Sequence, residues 1–493
     1  MAALIAPDRG RALLGSVALV NRAGVHEDVV LLCVGLGISM GIVAGMFLES
    51  SFLTLVAVFA AFAVAVLFPS IGLVVLAFMA PLKPPLLVPA PGFNTILVAA
   101  ILVGCLFRLP ISRPQIRIQP ALLLLFGYVL YVFAQQLPDM LSGYAGTRSH
   151  DVGYLFFQLV TGLGAIVAIA LVLKGRSPYP ALVALLLSAT FAALLGILTS
   201  GDLPYAKLAN LMPVPDVASR AAGPFGNPNS FGQLLAYAAA LAAGWFATTH
   251  SRRVRLGLTA AVGVMAYALS LSLSRGAIAA LVAGLVMLAF ARSRRAGLVA
   301  TAAAVVVVTV GYPTFVALRL TTEAGSASVT EVAKLAASDE GRLSAVLAGP
   351  ALFATSPIFG IGFGQYKYFS GLGLVAHNWY GTVLAEQGLV GIILWVLMLV
   401  AVWVWLRTLP ARPRLIGRTM FGAVVVGCLF LEPPTSFQTS VLPAMVLTAC
   451  LVADWTTRGR ERVESKTRSR PPAITRRTPS VQPPRTPRVG API

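Results

Sequence analysis

The sequence predicts an all-α polytopic membrane protein with 12–14 transmembrane helices. Of its 493 residues, 58% are hydrophobic and 11% are charged, whereas soluble domains carry about 25% charged residues. Apolar stretches of the ~20 residues needed to cross a bilayer recur along nearly the whole chain. Basic clusters follow the fourth, sixth, eighth, tenth and twelfth stretches, which is the charge asymmetry of a multi-pass protein.

The apolar stretches define the predicted helices in chain order. The third stretch and the last two are short or interrupted by proline, which leaves the helix count open. The stretches cover residues 29–48, 51–68, 70–82, 94–107, 119–138, 153–173, 178–200, 231–249, 256–273, 276–291, 297–316, 379–406, 417–432 and 439–455.

The basic clusters predict the orientation in the membrane. By the positive-inside rule the ends that carry them are cytoplasmic, so both termini lie inside. The net charge of +20 is therefore mainly a topology signal, and we expect no nucleic-acid binding. The clusters contain Arg108, Arg113, Arg117, Lys174, Arg176, Arg252, Arg253, Arg255, Arg292, Arg294, Arg295, Arg407, Arg412, Arg414 and Arg418.

Three regions follow from this orientation. We expect a cytoplasmic N-terminal segment at 1–28, a transmembrane domain at 29–456, and a disordered, basic, proline-rich cytoplasmic tail at 457–493. Two outer loops, 201–230 and 317–378, are long, and loops of this length are usually functional or disordered. The second contains an amphipathic stretch, 328–356, that predicts a helix lying on the outer membrane surface.

The first outer loop ends in the stretch "SRAAGPFGNPNSFG", which contains Arg220, Asn227 and Asn229. Its glycines and prolines predict a compact turn, with Asn229 or Ser230 as N-cap of the next helix. A plain capped connection would explain these residues. It does not explain Arg220.

Two more arginines belong to the predicted outer side. Arg275 lies in a hairpin so short that it sits at the membrane boundary, where it either snorkels to lipid headgroups or belongs to a functional site. Arg342 lies in the second loop, beside Asp339 and Glu340, which could simply pair with it. The glycines in "SPIFGIGFGQY" predict a tight turn that lowers this loop back toward the bilayer.

His377 and Asn378 stand directly ahead of a long apolar run, at the predicted mouth of a membrane helix. A lone histidine at a helix end is most often a cap or a structural hydrogen-bonder, but this one shares a membrane face with three arginines. After it, Gly388 and Gly391 continue a stripe of small residues, which predicts close helix–helix packing.

This set of side chains suits one kind of chemistry. Arginines bind a lipid-tethered diphosphate bidentately, and a histidine can take the proton of an attacking hydroxyl because its unperturbed pKa is ~6.5. Glu386 is the alternative base. The one outer carboxylate pair, Asp339–Glu340, is a weak metal ligand set, so we expect neither a metal nor a cofactor.

The chain resembles the O-antigen ligase and polymerase superfamily. His377-Asn378, nine residues and then Gly388-Leu-Val-Gly391 are similar to its H-[NSQ]-x9-G-x-x-G signature, and "RAAGPFGNPN", "SRGA" and "SPIFGIGFGQY" resemble its other landmarks in the same order. The resemblance covers roughly residues 30–455. The resemblance implies a GT-C-like, metal-independent, inverting glycosyltransferase at the outer face of the bacterial inner membrane.

The resemblance also implies roles and partners. Arg220 and Arg275, and less securely Arg342, would bind the diphosphate of an undecaprenyl-diphosphate-linked glycan, and His377 with Asn378 would be catalytic. The acceptor would be another glycan or a glycolipid. Ligase, polymerase and protein O-oligosaccharyltransferase remain open, because all three use this donor. A lipid-glycan flippase is the alternative from another class, although its expected mid-membrane charges and internal repeats are not evident.

The orientation can be tested by cysteine accessibility. In a background without the native cysteines, we expect a membrane-impermeant thiol reagent to label Ser326→Cys in intact cells. Ser465→Cys should react only after permeabilisation, because positive-inside charge holds the tail in the cytoplasm. The reverse labelling pattern would show that the arginines and His377 do not lie on the outer side.

Overall fold

The structure, a computed structural model, describes residues 8–82, 92–108, 120–141, 147–173, 176–199, 220–324, 329–371, 376–430, 440 and 442–450. Within these ranges all regular structure is helical, which confirms the predicted fold class. The helices are α1 Asp8–Phe47, α2 Ser51–Leu67, α3 Pro69–Met79, α4 Phe93–Leu106, α5 Pro120–Leu141, α6 Thr147–Val172, α7 Tyr179–Thr199, α8 Pro228–Phe246, α9 Arg252–Ser272, α10 Arg275–Arg292, α11 Arg294–Ala324, α12 Val329–Thr355, α13 Tyr366–Phe369, α14 Trp379–Thr408, α15 Ala411–Gly427 and α16 at 442–450.

Each predicted apolar stretch coincides with one of these helices, at least in part. In the described part of the chain, six helices are long and apolar enough to cross a membrane, and further apolar helices are shorter. The predicted helix in the second outer loop is α12. The count of 12–14 crossings and the region boundaries stay predictions, and α1 already begins at Asp8. The tail lies outside the described residues, as do Ser326 and most of the first outer loop.

The surface of the bundle is apolar over wide areas, as a lipid-facing surface must be. On α11, for example, Val306 and Val310 expose 59% and 70% of their surface. Soluble monomers rarely present contiguous apolar patches on this scale. The exposed valines therefore agree with a protein that crosses the bilayer.

Helix α8 is the centre of the bundle and packs against α9, α10 and α15. Glycines in α8 permit this close packing. A Cβ on Gly244 would lie 3.1 Å from the Ile416 Cα atom of α15, and one on Gly232 would lie 2.8 Å from the Ser274 Cβ atom. Such close backbone approaches are typical of helix packing in membranes.

The N-cap of α8 is Asn227, so the prediction of Asn229 or Ser230 was wrong. The Asn227 Oδ1 atom accepts hydrogen bonds from the backbone N–H groups of Asn229 and Ser230, at 2.9 and 3.2 Å. Pro228 explains the difference. Proline is favourable at the first helical position, and it holds the residue before it in an extended conformation.

Helix α14 is broken at Gly388, which has φ 62° and ψ −159°. The segment 357–362 pairs with the break on both sides, through Leu389 N–H to Pro357 O at 2.9 Å and Gly362 N–H to Glu386 O at 2.8 Å. A Cβ on Gly388 would lie 2.4 Å from the Ile358 carbonyl oxygen. The interpretation of Gly388 as part of a helical packing stripe was therefore wrong.

The glycines ahead of the break form the predicted tight turn. Gly360, Gly362 and Gly364 all have positive φ, at 75°, 102° and 72°. Helix α5 holds this turn against α14, because the Tyr131 hydroxyl donates to Gln387 O at 2.8 Å and the Gln136 amide donates to Phe363 O at 2.9 Å.

Replacing Gly388 with alanine should destabilise the fold. A conformation available almost only to glycine costs other residues about 1–3 kcal/mol, and the new methyl group would also collide with the Ile358 carbonyl oxygen. Thermal unfolding in detergent measures the effect.

Gly263→Ala in α9 is the matched control, since nothing lies within 4 Å of a Cβ at that position. It should leave the melting temperature unchanged or raise it, because alanine favours a helix over glycine by about 1 kcal/mol. Equal melting temperatures for the two variants would contradict the conclusion that Gly388 adopts a glycine-specific conformation packed against the segment 357–362.

Candidate active site

Arg220 is buried, with 3% of its surface exposed, and it binds the turn between α9 and α10. Its Nε atom donates to Ser272 O at 2.9 Å, and its Nη2 atom donates to Leu273 O at 3.2 Å. Nη2 also donates to the Asn229 side-chain oxygen at 3.1 Å. One edge of the guanidinium therefore fixes both the turn and the start of α8.

Arg275 is the first residue of α10, directly after that turn, and it is half-buried. Leu273 makes the turn with a left-handed φ of 49°. Ser274 precedes the helix but makes no side-chain capping bond. The helix start beside Arg275 thus combines a guanidinium with backbone N–H groups that no N-cap side chain binds, and both favour an anion.

The starts of α10 and α14 meet across the end of α15. A Cβ on Gly276 would lie 2.3 Å from the Phe430 Cβ atom, so α10 touches the chain just after α15. On the other side, the Trp379 N–H group donates to Cys428 O at 2.8 Å. Residues 428–430 therefore link the Arg275 turn to the His377 segment, and we call this end of the bundle, where α8, α10 and α14 begin, the His377 end.

His377 has a left-handed backbone, with φ 52°, and is half-buried. Such a conformation costs a non-glycine residue roughly 1–3 kcal/mol, and residues strained in this way are enriched at functional sites. Asn378 follows as N-cap of α14, and its Oδ1 atom accepts from Gly381 N–H at 3.2 Å. The cap holds the start of α14, so the backbone directly after His377 is fixed.

Among the described helices, α8, α10 and α14 begin at the His377 end. The N-terminus of each helix carries the positive pole of its dipole, equivalent to about half an elementary charge. With Arg275 beside them, these poles make the His377 end electrostatically suited to a phosphate or diphosphate.

Arg342 belongs to α12, and its side chain lies outside the described part of the structure. The helix itself reaches the site through Tyr366, whose hydroxyl donates to Ala345 O. The structure thus brings Arg220, Arg275, Asn229 and His377 to one end of the bundle.

Glu386, the alternative base, is buried at 2% exposure and binds backbone N–H groups. Oε2 accepts from Gly364 at 2.7 Å and Oε1 accepts from Tyr366 at 2.8 Å. These bonds indicate a structural role for Glu386, and the only sign of it in the sequence is a lone carboxylate within an apolar run. Among the described residues, no group of three His, Cys, Asp or Glu side chains could hold a metal ion.

An apolar cavity of about 220 Å³ lies beside this end, between α5, α6, α14, α15 and α16. Tyr128, Trp395 and Cys428 line its end near the site, and Trp405 and Thr448 line the far end. Cys428 is the same residue that accepts the Trp379 N–H bond. A hydrocarbon chain in the cavity would therefore start next to the His377 segment.

Residues 260–396 match the family model described as O-antigen ligase. This segment is therefore similar to an O-antigen ligase domain, and over it the resemblance to the O-antigen ligase and polymerase superfamily is confirmed. The matched segment includes Arg275, Arg342, His377 and the glycines Gly388 and Gly391, whereas Arg220 lies before it. No curated protein matches the chain.

The role of Asn378 as N-cap of α14 can be tested by substitution. Removing an N-cap side chain typically costs about 0.5–2 kcal/mol, so Asn378→Ala should lower the melting temperature. Asn378→Ser should preserve it, because serine caps equally well. If Asn378→Ser keeps the melting temperature but loses activity, the amide has a chemical task beyond capping. If neither variant changes the melting temperature, the cap does not hold this helix.

Proposed function

We propose that the protein transfers a glycan from undecaprenyl diphosphate to an acceptor hydroxyl at the outer face of the inner membrane. The observation that carries the proposal is the meeting of the Arg275 helix start and the strained His377 segment across residues 428–430. In this proposal the start of α10 binds the diphosphate and His377 accepts the proton, both at one end of the bundle. The O-antigen ligase domain supports the same chemistry.

In the proposed reaction, the acceptor oxygen attacks the anomeric carbon of the donor sugar. The bond from this carbon to the diphosphate oxygen breaks, and its electron pair leaves with the diphosphate. His377 takes the proton of the acceptor hydroxyl, and Arg275 with the start of α10 stabilises the negative charge on the leaving group. Attack from the face opposite the diphosphate inverts the anomeric configuration, and no step requires a metal.

Arg220 contributes in this proposal by fixing the turn that carries Arg275. Its bonds to Ser272 O and Leu273 O set where α10 begins, and its bond to Asn229 ties that turn to α8. Lysine cannot replace these bonds, because a single ammonium group lacks the planar fork that reaches several acceptors at fixed angles.

The apolar cavity supports a donor with a hydrocarbon tail. It is lined almost wholly by apolar side chains, and it adjoins the His377 segment at Cys428. A polyprenyl chain held there would present its diphosphate at the His377 end. Ligases and polymerases share this donor, so the acceptor that receives the glycan distinguishes them.

The proposal predicts different defects for its residues. In nanodiscs, with chelator and without ATP, His377→Ala should slow transfer by about 10²–10⁴-fold and leave donor binding near normal. Arg275→Ala, Arg275→Lys and Arg220→Ala should weaken binding of the lipid diphosphate. Binding of the donor and its transfer rate to the acceptor are measured for each variant.

The chain offers matched controls at the opposite end of the same helices. Arg292 ends α10, where its Nη2 atom donates to Ala247 O at 3.1 Å, and His250 is exposed between α8 and α9. Arg292→Ala and His250→Ala should bind and transfer normally. Near-normal turnover by His377→Ala would show that His377 is not the base, and normal binding and transfer by all site variants would contradict a glycosyltransferase at this end.

A further inference from the structure

The Glu386 carboxylate closes a loop that contains His377. It belongs to the part of α14 before the break, whereas its partners Gly364 and Tyr366 lie before His377 in the chain. The bonds therefore join Tyr366 to Glu386, with His377 between them. Both carboxylate oxygens take part, at 2.8 Å and 2.7 Å, which are lengths typical of charge-assisted hydrogen bonds.

The backbone around Glu386 is fitted to the same segment. Ile361 N–H donates to Ala385 O at 3.0 Å, and Gly362 N–H donates to Glu386 O at 2.8 Å. A Cβ on Gly360 would lie 2.2 Å from the Glu386 carbonyl carbon, so only glycine permits this approach. The base of the loop is thus held by backbone pairing and by one buried side chain.

A carboxylate is well suited to this place for a physical reason. Gly364 has a left-handed φ of 72°, and Tyr366 begins the short helix α13, so both N–H groups need an acceptor from elsewhere in the chain. Burying a carboxylate is costly unless hydrogen bonds compensate it, and here each oxygen faces a donor. Removing the side chain would leave two buried N–H groups without this acceptor.

We infer that Glu386 is a positioning residue for His377, an inference that rests on the proposed role of His377 as base. The carboxylate fixes the separation between the two ends of the loop, and the Trp379–Cys428 bond fixes its approach to α15. Together they determine where the imidazole stands relative to Arg275. Glu386 acts through His377 and takes no proton from the acceptor.

Glu386→Gln is the sharpest variant, because it keeps the shape of the side chain. Its oxygen can accept one N–H bond, but its NH2 group would face the other N–H group, donor against donor. Glu49→Gln is the matched control, since Glu49 is exposed in the connection between α1 and α2.

Hydrogen exchange in nanodiscs tests the loop without reference to any activity. Peptides covering residues 360–371 should exchange at least about tenfold faster in Glu386→Gln than in the wild type or in Glu49→Gln. Unchanged exchange in Glu386→Gln would overturn the inference, whatever the enzyme does.

A double-mutant cycle then tests the action through His377. Misplacing a catalytic group by about 1 Å can cost 10²-fold, so Glu386→Gln should lower kcat by about tenfold to a hundredfold and change the donor KM less than about twofold. In the His377→Ala background, Glu386→Gln should lower kcat by less than about a further twofold, because the residue that Glu386 positions is already absent.

Additive losses in the cycle would overturn the inference, because Glu386 would then act independently of His377. Normal turnover by His377→Ala alone would refute the proposed base, a separate failure, while exchange would still report whether Glu386 closes the loop.

Discussion

At Gly388, α14 leaves its regular helical conformation, and the segment 357–362 pairs with it instead. The rest of the site depends on this pairing. It brings the end of the long loop down to α14, where Glu386 accepts the N–H groups of Gly364 and Tyr366. An unbroken helix would offer this segment no free backbone groups, so the loop that carries His377 would have no fixed base.

Charge at the His377 end comes from both side chains and backbone. Arg220 has a structural role, because its guanidinium donates hydrogen bonds to Ser272 O, Leu273 O and the Asn229 side chain. Arg275, two residues after Leu273, is half-buried and starts a helix without a side-chain cap. In the proposed reaction, Arg220 holds the turn and Arg275 binds the diphosphate. A low-dielectric membrane boundary strengthens both interactions.

Much of this was predictable, and the failures have physical causes. Helix positions followed from apolar length, because the bilayer demands it, and the positive-φ turn followed from Gly360, Gly362 and Gly364. The break at Gly388 was not predictable, because a glycine that packs against a neighbouring helix and a glycine that breaks its own helix give the same sequence pattern. The structural role of Glu386 was equally unpredictable. Its partners are backbone N–H groups about 20 residues away, and every residue except proline has such a group, so the sequence does not reveal which ones Glu386 binds.

A structure of the protein in nanodiscs with a lipid diphosphate tests the central claim most directly. The account predicts the diphosphate at the His377 end, within hydrogen-bond distance of the Arg275 guanidinium or the first N–H groups of α10, with its hydrocarbon chain in the cavity lined by Tyr128 and Trp395. A diphosphate bound at the opposite end of the bundle, among arginines such as Arg292 and Arg414, would contradict it.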